Sequence, residues 1–259
     1  MKTVKIRNIE IGSGIPKICA PIVGKNTEEI LAEARKIPGS GADLAEWRAD
    51  HFENGTDPEA VTAVLCKLRA LLGELPLLFT FRTLREGGQR SIEPEAYVRL
   101  NLAAAASGAA DLIDAELFIG EPFFKEITAG AHQKKVFVVA SNHDFAQTPS
   151  AGELLHRLQQ MQELDADILK IAVMPQSKKD VLTLLQVTEE MSSHYADRPL
   201  ITMSMSGQGV VSRLCGEVFG SAVTFGSVGK ASAPGQMAIQ DLTVVLKLLH
   251  QASSDPDQG

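Results

Sequence analysis

The sequence predicts an α/β fold, a (β/α)8 TIM barrel with a short N-terminal β-hairpin capping the barrel bottom. Three observations lead there. Strand-like and helix-like runs alternate eight times along the 259 residues, at a spacing of about 30 residues, the pattern of a parallel sheet closed on itself. The strand-like runs are short and apolar, as strands covered on both faces are. No Gly-x-Gly-x-x-Gly turn follows any of them, which lowers the competing open, doubly wound sheet.

Residues 2–12 alternate and read as a hairpin or capping strand. A buried strand follows at 17–24, and Thr27 offers an N-cap for a helix over 28–37, with Glu28 and Glu29 in its first turn. The pairs that follow are strand 44–50 with helix 58–73, strand 76–83 with helix 94–108, and strand 112–117 with helix 121–132. Next come strand 135–142 with helix 150–164, strand 167–174 with helix 177–194, and strand 199–205 with helix 209–219. Strand 222–227 and helix 235–251 complete the set. Residues 1–252 are therefore expected to form one catalytic domain, and 253–259 a disordered tail.

Bulk properties narrow the function. Hydrophobic content is 44% and charged content 22%, enough for a large core. A net charge of −7 argues against nucleic acid and against anionic membranes as partners. Cys19, Cys66 and Cys215 are odd in number and far apart, which fits reduced thiols in a cytoplasm rather than disulfides. The N-terminus has no apolar signal core, and no apolar stretch is long enough to span a bilayer. A cytoplasmic globular protein is expected.

The strand Asp167–Pro175 contains one lysine, Lys170, amid apolar neighbours. A buried lysine must pair, snorkel or lose its proton, and a neutral amine in a pocket attacks carbonyls to form a Schiff base. Alternation places other charges at the same barrel end. Glu46, Arg48 and Asp50 share one face of strand two, while Ala45, Trp47 and Ala49 share the other. Arg82 ends strand three, with Glu86 in the following loop; Asp114 and Glu116 share a face of strand four. Strand five ends in Ser141-Asn142-His143-Asp144, and strand seven contributes Met203 and Met205, with Arg213 beyond.

Singly, each has a plain explanation: Asp50 and Glu116 read as members of structural ion pairs, and the methionines as core filler. Together, charges from five successive strands at the catalytic end of a barrel must satisfy one another, and such sites tune pKa values for chemistry. His132, His156, His194 and His250 lie among polar helix neighbours and take no role; His51 could approach the mouth. No motif has metal-ligand spacing, so a metal-free site is expected. The glycine-rich loops after strands seven and eight suit either a phosphate or a mobile lid over 228–236.

The stretches Glu46–Asp50, Phe79–Arg82, Glu86–Gly88, Ser141–Phe145, Lys170–Pro175, Met203–Met205, Ser212-Arg213 and Ala231–Gln236 together resemble the type I 3-dehydroquinate dehydratase family, in order and spacing over nearly the whole chain. The resemblance implies a hydro-lyase of the shikimate pathway of aromatic amino acid biosynthesis, converting 3-dehydroquinate to 3-dehydroshikimate by syn elimination. It implies Lys170 as the imine-forming residue, His143 as the proton shuttle and Glu86 as its orienting partner. Arg213, Ser232 and Gln236 would hold the substrate carboxylate, and Glu46, Arg48 and Arg82 the ring hydroxyls. Met203, Met205 and Phe225 would wall the ring. No cofactor is implied, and a homodimer is. Two departures stand out: Pro21, where relatives can carry a serine, and Gly207-Gln208 with Gly229, where lysine-bearing loops are expected. A class I Schiff-base aldolase or transaldolase shares the barrel and the lysine and remains the competing enzyme. A non-catalytic binding module is the competitor from a different class.

Overall fold

The computed structural model describes residues 3–229 and 235–253. The chain opens with an antiparallel hairpin, β1 (Val4–Ile6) and β2 (Ile9–Ile11). Strand–helix units follow in order. They are β3 (Lys17–Ile22) and α1 (Thr27–Ala34); β4 (Leu44–Arg48) and α2 (Pro58–Leu72); β5 (Leu77–Thr80) and α3 (Pro94–Ala106). Next are β6 (Leu112–Glu116) and α4 (Glu121–Gln133); β7 (Phe137–Asp144) and α5 (Ala151–Glu163); β8 (Ile168–Val173) and α6 (Lys178–Glu190). The last units are β9 (Leu200–Ser204) with α7 (Val210–Leu214) and α8 (Gly216–Phe219), then β10 (Val223–Ser227), β11 (Met237–Ala238) and α9 (Ile239–Ser253).

Strands β10-β3-β4-β5-β6-β7-β8-β9 lie side by side and parallel. The edges β9 and β10 meet through a single bridge, Leu200 to Ser221, and the Ala222 amide donates to the Leu200 carbonyl at 2.7 Å. The sheet is therefore a closed barrel whose seam is thin.

Alternation along the strands sorts side chains into two cores. Outward-facing Ala45, Trp47, Phe79, Ile113, Leu169 and Ile171 pack under the helices. Inward-facing Leu44, Leu78, Leu112, Val139, Ile168, Ile201 and Val223 fill the lower barrel, and Val4, Ile6 and Ile11 of the hairpin join that cluster as a plug. Above this apolar floor the same alternation delivers the polar side chains.

Several boundaries differ from the sequence expectation. Asn26, not Thr27, caps α1: its side chain accepts from the Glu29 amide, and Thr27 is already helical. Strand β4 stops at Arg48, where the chain turns through Ala49–His51, so Asp50 leaves the strand face and folds back on Arg48. β5 stops at Thr80, leaving Arg82 on the rim. β7 runs on to Asp144, so His143 is held in a ladder rather than a loop. The stretch expected as one helix at 209–219 breaks at Cys215, and a Cβ on Gly216 would lie 2.7 Å from the Ser221 carbonyl. α6 ends in a wide turn over Met191–Tyr195. Ser253, expected in the tail, still belongs to α9, and 254–259 lie outside the described residues.

Candidate active site

The polar floor of the mouth is organised by Arg82, which is 2% exposed. Its guanidinium donates to Asp114 Oδ2 at 2.8 Å, Glu116 Oε1 at 2.9 Å and Ser141 Oγ at 2.9 Å, and lies 3.7 Å from Glu86 Oε2. The Thr83 amide and hydroxyl also donate to Glu116, at 2.8 and 2.7 Å. Arg48 forms a two-pronged pair with Asp50, at 2.7 and 2.8 Å, and Asp50 accepts from the Gln89 amide as well. Asp50 and Glu116 are thus the ion-pair members that the sequence suggested.

Lys170 rises from β8 inside this cage, 4% exposed. Its Nζ lies 3.5 Å from Glu46 Oε1, 3.6 Å from Asp114 Oδ2, and 4.6 Å from the centre of the Phe225 ring. Thr80 donates to the same Glu46 oxygen at 2.9 Å. Any cation formed at Nζ is surrounded by two carboxylates and an aromatic face.

His143 and Glu86 form a second pair at the mouth. Glu86 Oε2 accepts from the His143 backbone amide at 2.9 Å and lies 3.1 Å from His143 Nδ1; Glu86 Oε1 accepts from Asn142 Nδ2 at 3.1 Å. The Nδ1 contact leaves the imidazole Nε2 as the nitrogen available to a ligand. Burial, then the charges of Arg82, Lys170 and Arg48, hold the His143 imidazolium well below the usual histidine range. A neutral imidazole is therefore the resting form at neutral pH, as a general base requires.

Five carboxylates (Glu46, Asp50, Glu86, Asp114, Glu116) face three cations (Arg48, Arg82, Lys170) in this cluster. The surplus negative charge is relieved at Glu86, whose carboxyl is pushed up to about 8 by burial and then by Glu116 and so retains its proton at neutral pH. Burial also opposes ionisation of Asp114, but Arg82 and Lys170 overcome it and hold that carboxyl below its ordinary range.

The cavity above holds about 520 Å³ of empty space, counting its open mouth. Glu46, Arg48, Arg82, Glu86, His143, Lys170, Met203, Met205, Arg213, Phe225 and Gln236 all line it. Of the candidates named from sequence, only Ser232 is missing, because it lies outside the described residues, as does most of the 228–236 loop. Arg213 reaches the cavity from α7 with Nη1 3.7 Å from Met203 Sδ, and burial lowers its basicity. Phe145 and Ala172 also line the wall and were not singled out; Ala172 shares the Lys170 face of β8, so alternation could have found it. Pro21 is not among the described lining residues, and His51 is drawn to Asp50, at 3.8 Å. His132 and His250 pair with Asp167 and Glu217 away from the cavity. Among the described residues no group of three or more His, Cys, Asp or Glu is arranged to hold a metal, and no described helix is long and apolar enough to cross a membrane.

The family model of type I 3-dehydroquinase matches residues 18–253. The 3-dehydroquinate dehydratase of Clostridioides difficile (strain 630) is 52% identical over 251 residues, 97% of this chain and 98% of its own length. That of Salmonella agona (strain SL483) is 53% identical over 252 residues, 97% of this chain and all of the relative. A crystal structure of the type I 3-dehydroquinate dehydratase from Clostridium difficile with covalently modified comenic acid superposes with a TM-score of 0.95 at 52% identity, covering 97% of this chain and 99% of that one. With a family model spanning most of the barrel and full-length relatives above half identity, the chain belongs to the type I 3-dehydroquinase family.

Proposed function

We propose that this chain dehydrates 3-dehydroquinate to 3-dehydroshikimate through an imine on Lys170. The activity rests on the family: its full-length relatives are 3-dehydroquinate dehydratases, which makes the chain a hydro-lyase. The observation that carries the mechanism is Lys170 Nζ, buried between Glu46, Asp114 and the Phe225 ring in a cavity that His143 also lines.

The amine attacks the C3 ketone and, after loss of water, leaves an iminium cation; Glu46 Oε1 is the nearest acceptor for the ammonium proton. The carboxylates beside Nζ are already placed to hold the iminium, so little reorganisation is required. His143 removes the C2 proton, and the electron pair flows into the imine to give an enamine. The pair then returns to expel the C1 hydroxyl, which takes the proton from His143 and leaves as water. Hydrolysis of the imine frees the product and restores Lys170. Glu86 fixes the imidazole and stabilises its charged form. Arg213, with Gln236 and the loop residue Ser232, binds the substrate carboxylate; Glu46, Arg48 and Arg82 face the ring hydroxyls, and Met203, Met205 and Phe225 pack on the ring. The reaction as written uses no cofactor.

A Schiff-base aldolase or transaldolase is not favoured, because the nearly full-length relatives are dehydratases. We further infer one catalytic domain over 1–252, a cytoplasmic location and a homodimer, the last supported by exposed Val244 and Leu248 on α9. Sedimentation equilibrium reads the dimer directly.

The decisive test is borohydride reduction in the presence of 3-dehydroquinate, with intact-mass and peptide analysis. An adduct on Lys170, abolished in a folded Lys170→Ala variant that has lost turnover, is expected. Turnover retained by Lys170→Ala refutes the imine route.

A further inference from the structure

The wall between the active cavity and α5 contains a polar chain that the reaction as written does not use. Arg157 of α5 donates through Nη1 to Asn142 Oδ1 at 2.8 Å, and Asn142 Nδ2 donates to Glu86 Oε1 at 3.1 Å. Glu86 in turn contacts His143 Nδ1. Asn142 is 2% exposed, and both ends of its amide are satisfied by protein partners.

We propose that Arg157 and Asn142 are positioning residues that fix the direction of the hydrogen bond between Glu86 and His143, and so decide which imidazole nitrogen acts as the base. The inference rests on the dehydratase reading and deepens it. Its logic is one of donors and acceptors. A guanidinium only donates, so the amide atom facing Arg157 has to be the carbonyl oxygen. The amide N–H then points at Glu86 Oε1 and obliges that oxygen to accept. The His143 backbone amide imposes the same duty on Oε2. A carboxyl group whose two oxygens both accept is favoured as the carboxylate, against the burial and acidic neighbours that push Glu86 up to about 8. In that ionised form Glu86 takes its third hydrogen bond from Nδ1–H. The lone pair is thereby left on Nε2, facing the substrate. Were the Asn142 amide turned over, its oxygen would meet Oε1 and favour a protonated Glu86, which donates to Nδ1 and puts the imidazole hydrogen on Nε2. That tautomer cannot take the C2 proton.

Arg157 is itself held in place. Its Nε donates to Glu153 Oε1 at 2.7 Å, and its guanidinium lies 5.0 Å from the centre of the Phe118 ring, which Arg85 also approaches at 5.6 Å. The charges around Glu86 are Arg82 beyond β5, Asp114 and Glu116 of β6, and His143 of β7, with Arg157 of α5 acting through Asn142. Two of the three ionised neighbours nearest it are acidic, so the amide supplies support that the electrostatics do not.

The test is the pH dependence of kcat and KM for the full chain with 3-dehydroquinate, in Arg157→Leu, Arg157→Lys and Asn142→Leu. Arg157→Leu and Asn142→Leu are expected to move the acid limb of kcat upwards by about one pH unit, the size of one hydrogen bond to a carboxylate. KM should stay within about twofold, and the deficit should close at alkaline pH. Arg157→Lys, which still donates, should return the limb close to wild type, and the two leucine changes combined should cost no more than either alone. A limb that stays put in the folded leucine variants, or a loss equal at every pH, overturns the proposal. A wild-type protein that does not dehydrate 3-dehydroquinate instead sinks the functional reading beneath it.

Discussion

Glu86 sits at about 8 because burial and the Glu116 and Asp114 carboxylates outweigh Arg82 and the Asn142 amide. In the unfolded chain a glutamate titrates near 4.3, so over the window between these values the folded state holds a proton that the unfolded state has released. Stability then falls as pH rises from about 5 to 8. Urea titrations across that range should show the decline in wild type and a shallower one in Glu86→Gln; identical slopes would refute the assignment. The same residue shows the limit of sequence reading at this scale. Alternation and chain order put Lys170, His143, Glu86, Arg48 and Arg82 at one end of the barrel and Asp50 and Glu116 in ion pairs, without naming the partners. They did not reveal Phe145, whose ring rests against Gly87 so closely that a Cβ there would lie 2.3 Å from it. Nor did they show the Asn142–Arg157 contact, which joins a strand to a helix face 15 residues on.

Among the elements, the turn from Thr83 to Gly88 does most to aim the chemistry. It carries Glu86 over the barrel rim, and the Gly88 amide closes it on the Thr83 carbonyl at 2.8 Å. Gly88 is required there by a close approach: a Cβ would lie 1.9 Å from the Arg82 carbonyl oxygen. Gly88→Ala should push the turn outward and lower kcat by at least about tenfold, since a misplacement of about 1 Å can cost a hundredfold. Wild-type kcat in that variant would show that the turn does not set the His143 geometry. Strand and helix identity was legible over most of the chain; an exception is β11 (Met237–Ala238), which lies inside the helix expected over 235–251 because it pairs with β10 before α9 begins. The boundaries were less so: strands β4 and β5 end early because the chain coils into tight turns at the mouth, and turns of one helical loop carry no periodicity to read.

At the scale of the whole molecule, the barrel is uneven around its circumference. β7 and β8 share six aligned residue pairs, whereas β9 and β10 share the single bridge at their base. Native-state hydrogen exchange should therefore find the amides of β9 and β10 less protected than those of β7 and β8; equal protection would mean that helices rather than the ladder set the opening cost. The closed topology was visible in the eight repeats, but the weak seam was not, because it depends on the register of two strands distant from each other's turns. The other end of the barrel has a consequence of its own. With Val4, Ile6 and Ile11 stoppering the base, the chamber around Lys170 is closed below and opens at the mouth. Substrate, water and product pass through that opening in turn. Product lingering there shuts out the next substrate, so 3-dehydroshikimate should inhibit competitively, and a compound wide enough to block the doorway silences the enzyme without touching the lysine.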